Sequence, residues 1–99
     1  MFMMFKESAV NFKNASDLSI EKTIGGYRLK IAFGRYYVVV VIDDKNTINE
    51  LKQAGVGGRS RIALELLMWL SSGDGVVTKE DIYEKIHEIY SRIGDDKND

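Results

Sequence analysis

The sequence predicts an α+β fold, in which an antiparallel meander of three to four strands is followed by three helices. Two glycine turns, Gly25-Gly26 and Gly34-Arg35, divide residues 17–43 into three predicted strands, since two-residue turns of this kind join hairpin strands. After residue 46 the apolar side chains change to helical spacing. The 99 residues suffice for one domain, which we assign to residues 1–94. Residues 95–99 are predicted to form a disordered acidic tail.

The composition narrows the function classes. The 14 basic and 15 acidic side chains give a formal net charge of −1, which argues against a general polyanion binder. The chain has no cysteine and one histidine, so it offers neither a thiolate metal site nor a cysteine nucleophile. We expect no catalytic residue, no metal and no cofactor, and therefore a protein that is not an enzyme.

Apolar segments are short throughout the chain. The N-terminal run ends at Lys6, and the longest later run, residues 36–42, has seven residues. A membrane-spanning helix needs about 18 or more, and a signal peptide needs a basic start that is missing here. The sequence therefore predicts a cytoplasmic protein without a membrane partner.

The two turns predict a strand register. Across Gly34-Arg35 the expected pairs are Phe33 with Tyr36, Ile31 with Val38, Leu29 with Val40 and Tyr27 with Ile42. Across Gly25-Gly26 they are Ile24 with Tyr27, Ile20 with Ile31 and Leu18 with Phe33. Both turns place apolar side chains on one common face, with Lys22 as the exception, and a slip of one residue would reverse that face.

The opposite face carries the predicted partner-binding residues of the sheet: Arg28, Lys30, Tyr37, Val39 and Val41. The register also predicts that Glu21 lies opposite Lys30, as a favourable cross-strand pair. Because the third strand is apolar on both faces, we expect the N-terminal segment, the helices or a second subunit to cover it. A nucleic-acid platform is the alternative for this face, and a plain solvated surface is the simplest interpretation.

A glycine-rich segment separates the first two predicted helices. Thr47 and Glu50 form a capping box that begins the first helix, and Gly55 suits its end. The next segment is a weak candidate for anion binding at a helix N-terminus, through Gly57, Gly58, Arg59, Ser60 and Arg61. A turn with solvated arginines is the simpler alternative.

The second predicted helix, residues 62–70, is apolar on nearly every side, with Glu65 as its one charged residue. Such a helix is buried on most sides, which favours a homodimer in a domain of this size. Trp69 is a candidate partner-binding anchor, or else an ordinary core tryptophan.

The third predicted helix is capped by the segment from Thr78 to Asp81 and buries a stripe of isoleucines: Ile82, Ile86, Ile89 and Ile93. His87 lies on this helix without a second histidine or a recognisable nucleophile spacing, so no catalytic role is expected for it.

Residues 61–86 resemble a known family. The helix Arg61-Ile62-Ala63-Leu64-Glu65-Leu66-Leu67-Met68-Trp69-Leu70 and the segment Gly73-Asp74-Gly75-Val76-Val77-Thr78-Lys79-Glu80-Asp81-Ile82-Tyr83-Glu84-Lys85-Ile86 are similar to the first two helices of the winged-helix effector domains of bacterial response regulators. The resemblance implies DNA binding. However, the third helix that enters the major groove in that family, and the hairpin wing after it, have no counterpart here.

The sequence thus predicts a small non-enzymatic regulatory or inhibitory protein that binds another protein as a homodimer. The first alternative is a DNA-binding transcription regulator of degenerate winged-helix type, with a positive surface formed by Arg28, Lys30, Arg35, Arg59 and Arg61. The second is a small domain that binds an anion or a nucleotide.

Overall fold

The computed structural model describes residues 1–97, with side chains described for residues 1–94. Its strands are β1 (Phe2–Phe5), β2 (Ser8–Asn11), β3 (Asp17–Lys22), β4 (Tyr27–Phe33) and β5 (Tyr36–Ile42), and its helices are α1 (Lys45–Ser72) and α2 (Lys79–Lys97). The α+β class with antiparallel sheets is confirmed. Of the predicted acidic tail at residues 95–99, residues 98 and 99 lie outside the described part.

The main sheet has the strand order β3-β4-β5. Across Gly34-Arg35 the predicted register is confirmed in full, from Phe33 opposite Tyr36 to Tyr27 opposite Ile42. Gly34 has a φ of +72°, as the first central residue of a type II′ turn requires. The predicted core face is the face that packs inward.

The register between β3 and β4 differs from the prediction. Lys22, not Ile24, lies opposite Tyr27, and the amide of Thr23 donates to the Gly26 carbonyl at 2.8 Å, so residues 23–26 form a four-residue loop. A Cβ on Gly26 would lie 2.9 Å from Cδ1 of Ile48, so this glycine permits a close approach to α1. Because the shift is two residues, the core face is unchanged.

The N-terminal segment forms its own hairpin instead of a fourth strand of the meander. β1 pairs with β2 in a separate sheet. On its other side, the Phe2 amide donates to the Gly75 carbonyl at 2.8 Å and the Val77 amide donates to the Phe2 carbonyl at 2.7 Å. The hairpin therefore joins the segment between the helices, and within residues 1–97 only β4 pairs with β5.

Within residues 1–97 the structure has two α-helices, besides a short 3-10 helix at Phe12–Asn14, where the sequence predicts three helices. Gly55 is non-helical, with φ 70° and ψ −178°, but the chain resumes its helix at once, so the first two predicted helices form one kinked α1. Its N-cap is Asp44, whose carboxylate accepts the Thr47 amide at 3.0 Å and hydroxyl at 2.8 Å. The predicted capping box of Thr47 and Glu50 is therefore wrong by one turn.

The helix α2 corresponds to the third predicted helix and agrees closely with that prediction. Thr78 and Asp81 cap it reciprocally, since each backbone amide donates to the other side chain, at 2.9 and 3.2 Å. Its isoleucine stripe is buried. Together with the sheet, α1 and the N-terminal hairpin it encloses one core, whose fully buried large side chains include Phe12, Leu29, Ile31, Leu51, Ile62, Leu66, Leu70, Ile82, Ile86 and Ile89. Among the described residues, neither helix has the length and apolar character needed to cross a bilayer.

Candidate protein-interaction surface

The outer sheet face, formed by Arg28, Lys30, Tyr37, Val39 and Val41, is brought together as predicted. Tyr37 is 58 % exposed and Val41 is 53 % exposed, while Val39 is partly buried. The helices and the N-terminal hairpin were two of the elements expected to cover the third strand. In the described part of the chain neither of them covers these side chains. This face therefore presents apolar side chains to solvent.

Basic groups border this apolar patch. The Nε of Arg28 donates to Glu21 Oε1 at 2.8 Å, because the shifted register places Glu21 opposite Arg28. The predicted pairing of Glu21 with Lys30 is therefore wrong. Lys30 instead holds its Nζ 4.6 Å from the centre of the Tyr37 ring, an arrangement that attracts a cation to the aromatic face.

The free edge of β5 adds backbone groups to this surface. In a two-residue hairpin the pair that flanks the turn is hydrogen-bonded, and bonded and non-bonded pairs then alternate. Tyr37, Val39 and Val41 consequently direct their amides and carbonyls away from β4. β5 contains no charged residue and no proline, which are the usual protections of an edge strand.

The other edge of the main sheet is different. β3 carries Asp17, Glu21 and Lys22, and its Leu18 and Ile20 lie beside Ala63 of α1. Charge and a neighbouring helix are both recognised means of protecting an edge. Of the two edges, β5 is therefore the one that is open to another strand.

Trp69 is not part of the outer sheet face. It is partly buried and packs against the core, and Lys85 of α2 places its Nζ 5.7 Å from the ring centre. A cleft of about 330 Å³ between the helices is lined by Trp69, Val77 and Lys85. This position fits a core tryptophan better than an exposed partner-binding anchor.

The apolar stretch of α1 is not buried on every side. Ile62, Leu66 and Leu70 are buried, whereas Leu64 and Met68 are 59 % and 60 % exposed. Being four residues apart, these two side chains lie on one side of the helix. They form a second apolar surface, on α1 instead of the sheet.

The predicted anion-binding residues do not converge. Gly57 and Gly58 lie within the helical part of α1. Arg59 Nη1 donates to the Leu51 carbonyl at 2.8 Å and to the Tyr27 hydroxyl at 3.4 Å, and Ser60 donates to the Val56 carbonyl at 3.1 Å. Arg61 lies 3.5 Å from Glu65. These side chains therefore interact within the chain and do not surround one point.

Sequence reasoning missed three polar contacts between elements. Glu65 accepts from Arg92 of α2 at 2.9 Å. The Glu50 carboxylate contacts Nδ1 of His87 across 37 positions of the chain, and the Tyr83 hydroxyl donates to Asp43 at 2.7 Å across 40 positions. No local spacing signals contacts of this range.

The contact of Asp43 with Tyr83 shifts the pKa of both side chains. The hydrogen bond from Tyr83, followed by the charge of Lys79, lowers the pKa of Asp43 from its usual 3.8. Burial, followed by the hydrogen bond to Asp43, raises the pKa of Tyr83 from 10.0 to about 12. Each shift favours the charge state in which tyrosine donates to carboxylate.

A cavity of about 520 Å³ lies beside Glu50 and His87. A histidine oriented by a carboxylate is one part of a hydrolytic triad. The hydroxyls that line this cavity, those of Thr47 and Tyr83, donate instead to Asp44 and Asp43, so neither is directed at His87. Among residues 1–94, whose side chains the structure describes, no cluster of three or more histidine or acidic side chains is arranged to hold a metal ion.

No family model, curated protein or solved structure matches the chain. The function is therefore inferred from the chain's own surface chemistry. The outer sheet face and the adjoining edge of β5 are the strongest candidate site, because they combine exposed apolar side chains, unpaired backbone groups and basic neighbours.

Proposed function

We propose that this chain is a small non-enzymatic regulatory or inhibitory protein of the cytoplasm, which binds another protein as a homodimer. One observation carries the proposal, namely the exposure of Tyr37 and Val41 on an outer face that no described element covers. Contiguous apolar surface on a small domain is typical of an interaction site.

The composition of the face fits a protein partner. Tyrosine and arginine are enriched at the energetically dominant positions of protein interfaces, and here Tyr37 and Arg28 lie on the same face. Arg28 and Lys30 make the border of the patch basic, so the partner that fits best presents an apolar centre with an acidic rim.

The arginine contacts favour protein over DNA. A DNA-binding surface would need the cations of the sheet and of α1 to act together on phosphates. Arg59 instead binds Leu51 and stacks on Tyr27, and Arg61 is held beside Glu65. The same contacts weigh against an anion site at residues 57–61.

Affinity capture with matched variants tests the proposal. The outer-face variant is Arg28→Glu with Lys30→Glu, and the control is Lys13→Glu with Lys52→Glu, which makes the same change of charge at exposed positions elsewhere. We expect a protein captured from the native cell by the wild type and the control, and at least tenfold less of it with the outer-face variant.

Circular dichroism would establish that both variants keep the fold. A protein captured equally by both variants would overturn the proposed surface. Binding of duplex DNA that weakens steeply with salt, without any protein partner, would favour the DNA-binding alternative.

A further inference from the structure

We infer that two copies of the chain join by antiparallel pairing of their β5 strands, in a register centred on Val39, so that two three-stranded sheets become one sheet of six strands. This inference deepens the proposed function and rests on its homodimer. It specifies which surface makes the dimer and which residues face each other.

The free edge of β5 supplies the bonds. Tyr37, Val39 and Val41 each turn one amide and one carbonyl away from β4, as the alternation of the ladder requires. An antiparallel copy of the same strand offers the complementary groups at the same spacing. About six backbone hydrogen bonds would form, one for each of these amides in the two copies.

A two-fold axis through Val39 makes the pairing self-complementary. Val39 then faces Val39 of the second copy, and Tyr37 faces Val41 of the second copy on the same side of the sheet. Aromatic and β-branched side chains that lie directly opposite each other stabilise antiparallel pairs. The exposed side chains of the outer sheet face thus gain neighbours from the second copy.

Charge identifies the second copy as the occupant and selects this register. With Val39 at the centre, Arg35 of each copy lies opposite Asp43 of the other. Both residues are exposed, and the Asp43 side chain is 71 % exposed. Moving the centre to residue 40 would place Arg35 opposite Lys45, and moving it to residue 38 would place Arg35 opposite Val41. Only the register centred on Val39 pairs opposite charges at both ends.

The existing contacts of Asp43 are compatible with this pair. Its carboxylate accepts from Tyr83 at 2.7 Å and lies 3.5 Å from Lys79, but an ionised carboxylate has about four acceptor sites.

The basic groups of the two outer faces also stay apart. Lys30 and its counterpart are separated by three strand spacings, about 14 Å, which exceeds the screening length of about 8 Å at physiological salt.

A single introduced cysteine tests the register. The chain has no cysteine of its own, so Val39→Cys supplies one thiol per copy. Facing residues in a hydrogen-bonded antiparallel pair have Cα atoms about 5.5 Å apart, within the range that a disulfide spans. We expect mild oxidation to convert most of the Val39→Cys protein to a covalent dimer.

The matched control is Val41→Cys. In the proposed register the two copies of residue 41 lie four residues apart along the strands, about 13 Å, so the same oxidation should leave this variant mainly uncrosslinked. Equal crosslinking of the two variants, or none with Val39→Cys, would overturn the inference.

Charge reversal gives an independent measurement by sedimentation equilibrium. Arg35→Asp should raise the dimer dissociation constant at least tenfold, and adding Asp43→Arg should restore dimerisation, since the two charges are then exchanged. Lys13→Asp is the control for the change in net charge. A wild-type monomer, or an Arg35→Asp variant that dimerises as tightly as the Lys13→Asp control, would refute the inference.

The two proposals fail in different ways. One outcome is a monomeric wild type whose capture of a protein is still reduced by Arg28→Glu with Lys30→Glu. That outcome would refute the β5 dimer and support the proposed binding face. A crosslinked β5 dimer that captures no protein would support the inference and overturn the proposed protein binding.

Discussion

Arg59 connects both parts of α1 to the sheet. It lies after the kink at Gly55, donates back to the Leu51 carbonyl before the kink at 2.8 Å, and places its guanidinium 5.2 Å from the centre of the Tyr27 ring. Carbonyls in the last turn of a helical segment lack their usual helical donor. The side chain supplies that donor where the helix is interrupted.

Replacing Arg59 with alanine should therefore destabilise the fold. The loss of a charged hydrogen bond and of the contact with Tyr27 predicts a decrease of about 2 kcal/mol in the free energy of unfolding. Urea denaturation would measure it, with the exposed Lys52→Ala in the same helix as control. A change no larger than that of the control would show that Arg59 is not a structural link.

Tyr83 gives the fold a dependence on alkaline pH. Its pKa is raised from 10.0 to about 12 in the folded chain, so folding favours the protonated phenol. The resulting stabilisation is fully present below pH 10 and is lost as the pH rises through about 12. Ultraviolet titration of tyrosinate should show a late phase near pH 12 whose amplitude falls by one tyrosine in Tyr83→Phe.

The companion variant Asp43→Ala removes the acceptor of the Tyr83 hydroxyl. The late phase should then move to lower pH, because the hydrogen bond to Asp43 contributes to the shift. An unchanged late phase in Asp43→Ala would contradict a role for this contact. The pH dependence from Asp43 has the opposite sign. Its pKa is lowered from 3.8 in the folded chain, so folding favours the carboxylate. The resulting stabilisation is present above pH 3.8 and is lost as the pH falls through the lowered pKa.

At the scale of the elements, the helix α1 depends on the conformation of one glycine. Gly55 has φ 70° and ψ −178°, in a region that is essentially restricted to glycine. Gly57 lies two residues further in helical backbone, and a Cβ there would meet no atom within 4 Å. The two glycines therefore differ in backbone geometry rather than in packing.

Alanine substitutions at these positions should have opposite effects. Gly55→Ala should destabilise the protein by about 1–3 kcal/mol because of backbone strain, whereas Gly57→Ala should stabilise it by about 0.5–1 kcal/mol because glycine is a poor helix former. Thermal unfolding of both variants provides the comparison. An increase in stability for both would mean that Gly55 does not have the described backbone conformation.

The elements also show where sequence reasoning succeeded. The hairpin of β4 and β5 is determined by local chemistry, since Gly34 sets the turn and the alternation of apolar residues sets the face. The loop before β4 depends instead on how closely Gly26 approaches Ile48, a contact between distant elements. The outer sheet face was still predicted correctly because a shift of two residues preserves the direction of every side chain.

The start of α1 illustrates the same distinction. Thr47 and Glu50 satisfy a capping pattern, but Asp44 also suits an N-cap and begins the helix one turn earlier. Glu50 then lies beside His87 of α2. Which of two local patterns is used depends on packing against α2, and residue spacing within α1 does not contain that information.

At the scale of the whole molecule, basic and acidic side chains are unevenly distributed along the chain. Residues 1–42 contain six basic and three acidic side chains, and residues 78–99 contain four and seven. The basic excess includes Arg28 and Lys30 of the outer sheet face, and the acidic excess belongs to the segment that contains α2. The proposed partner with an acidic rim would therefore be attracted to the outer sheet face and repelled by the segment that contains α2, which would orient its approach.

The two unlike edges of the main sheet would also limit the size of the proposed dimeric assembly. Pairing through β5 uses the open edge of each copy and leaves β3 at both ends of the joined sheet. There, Asp17, Glu21 and Lys22 and the neighbouring α1 oppose further addition. An isologous contact of this kind closes upon itself. In the proposed dimer the most apolar strand of the chain would not act as a template for fibres, because growth would stop at two copies.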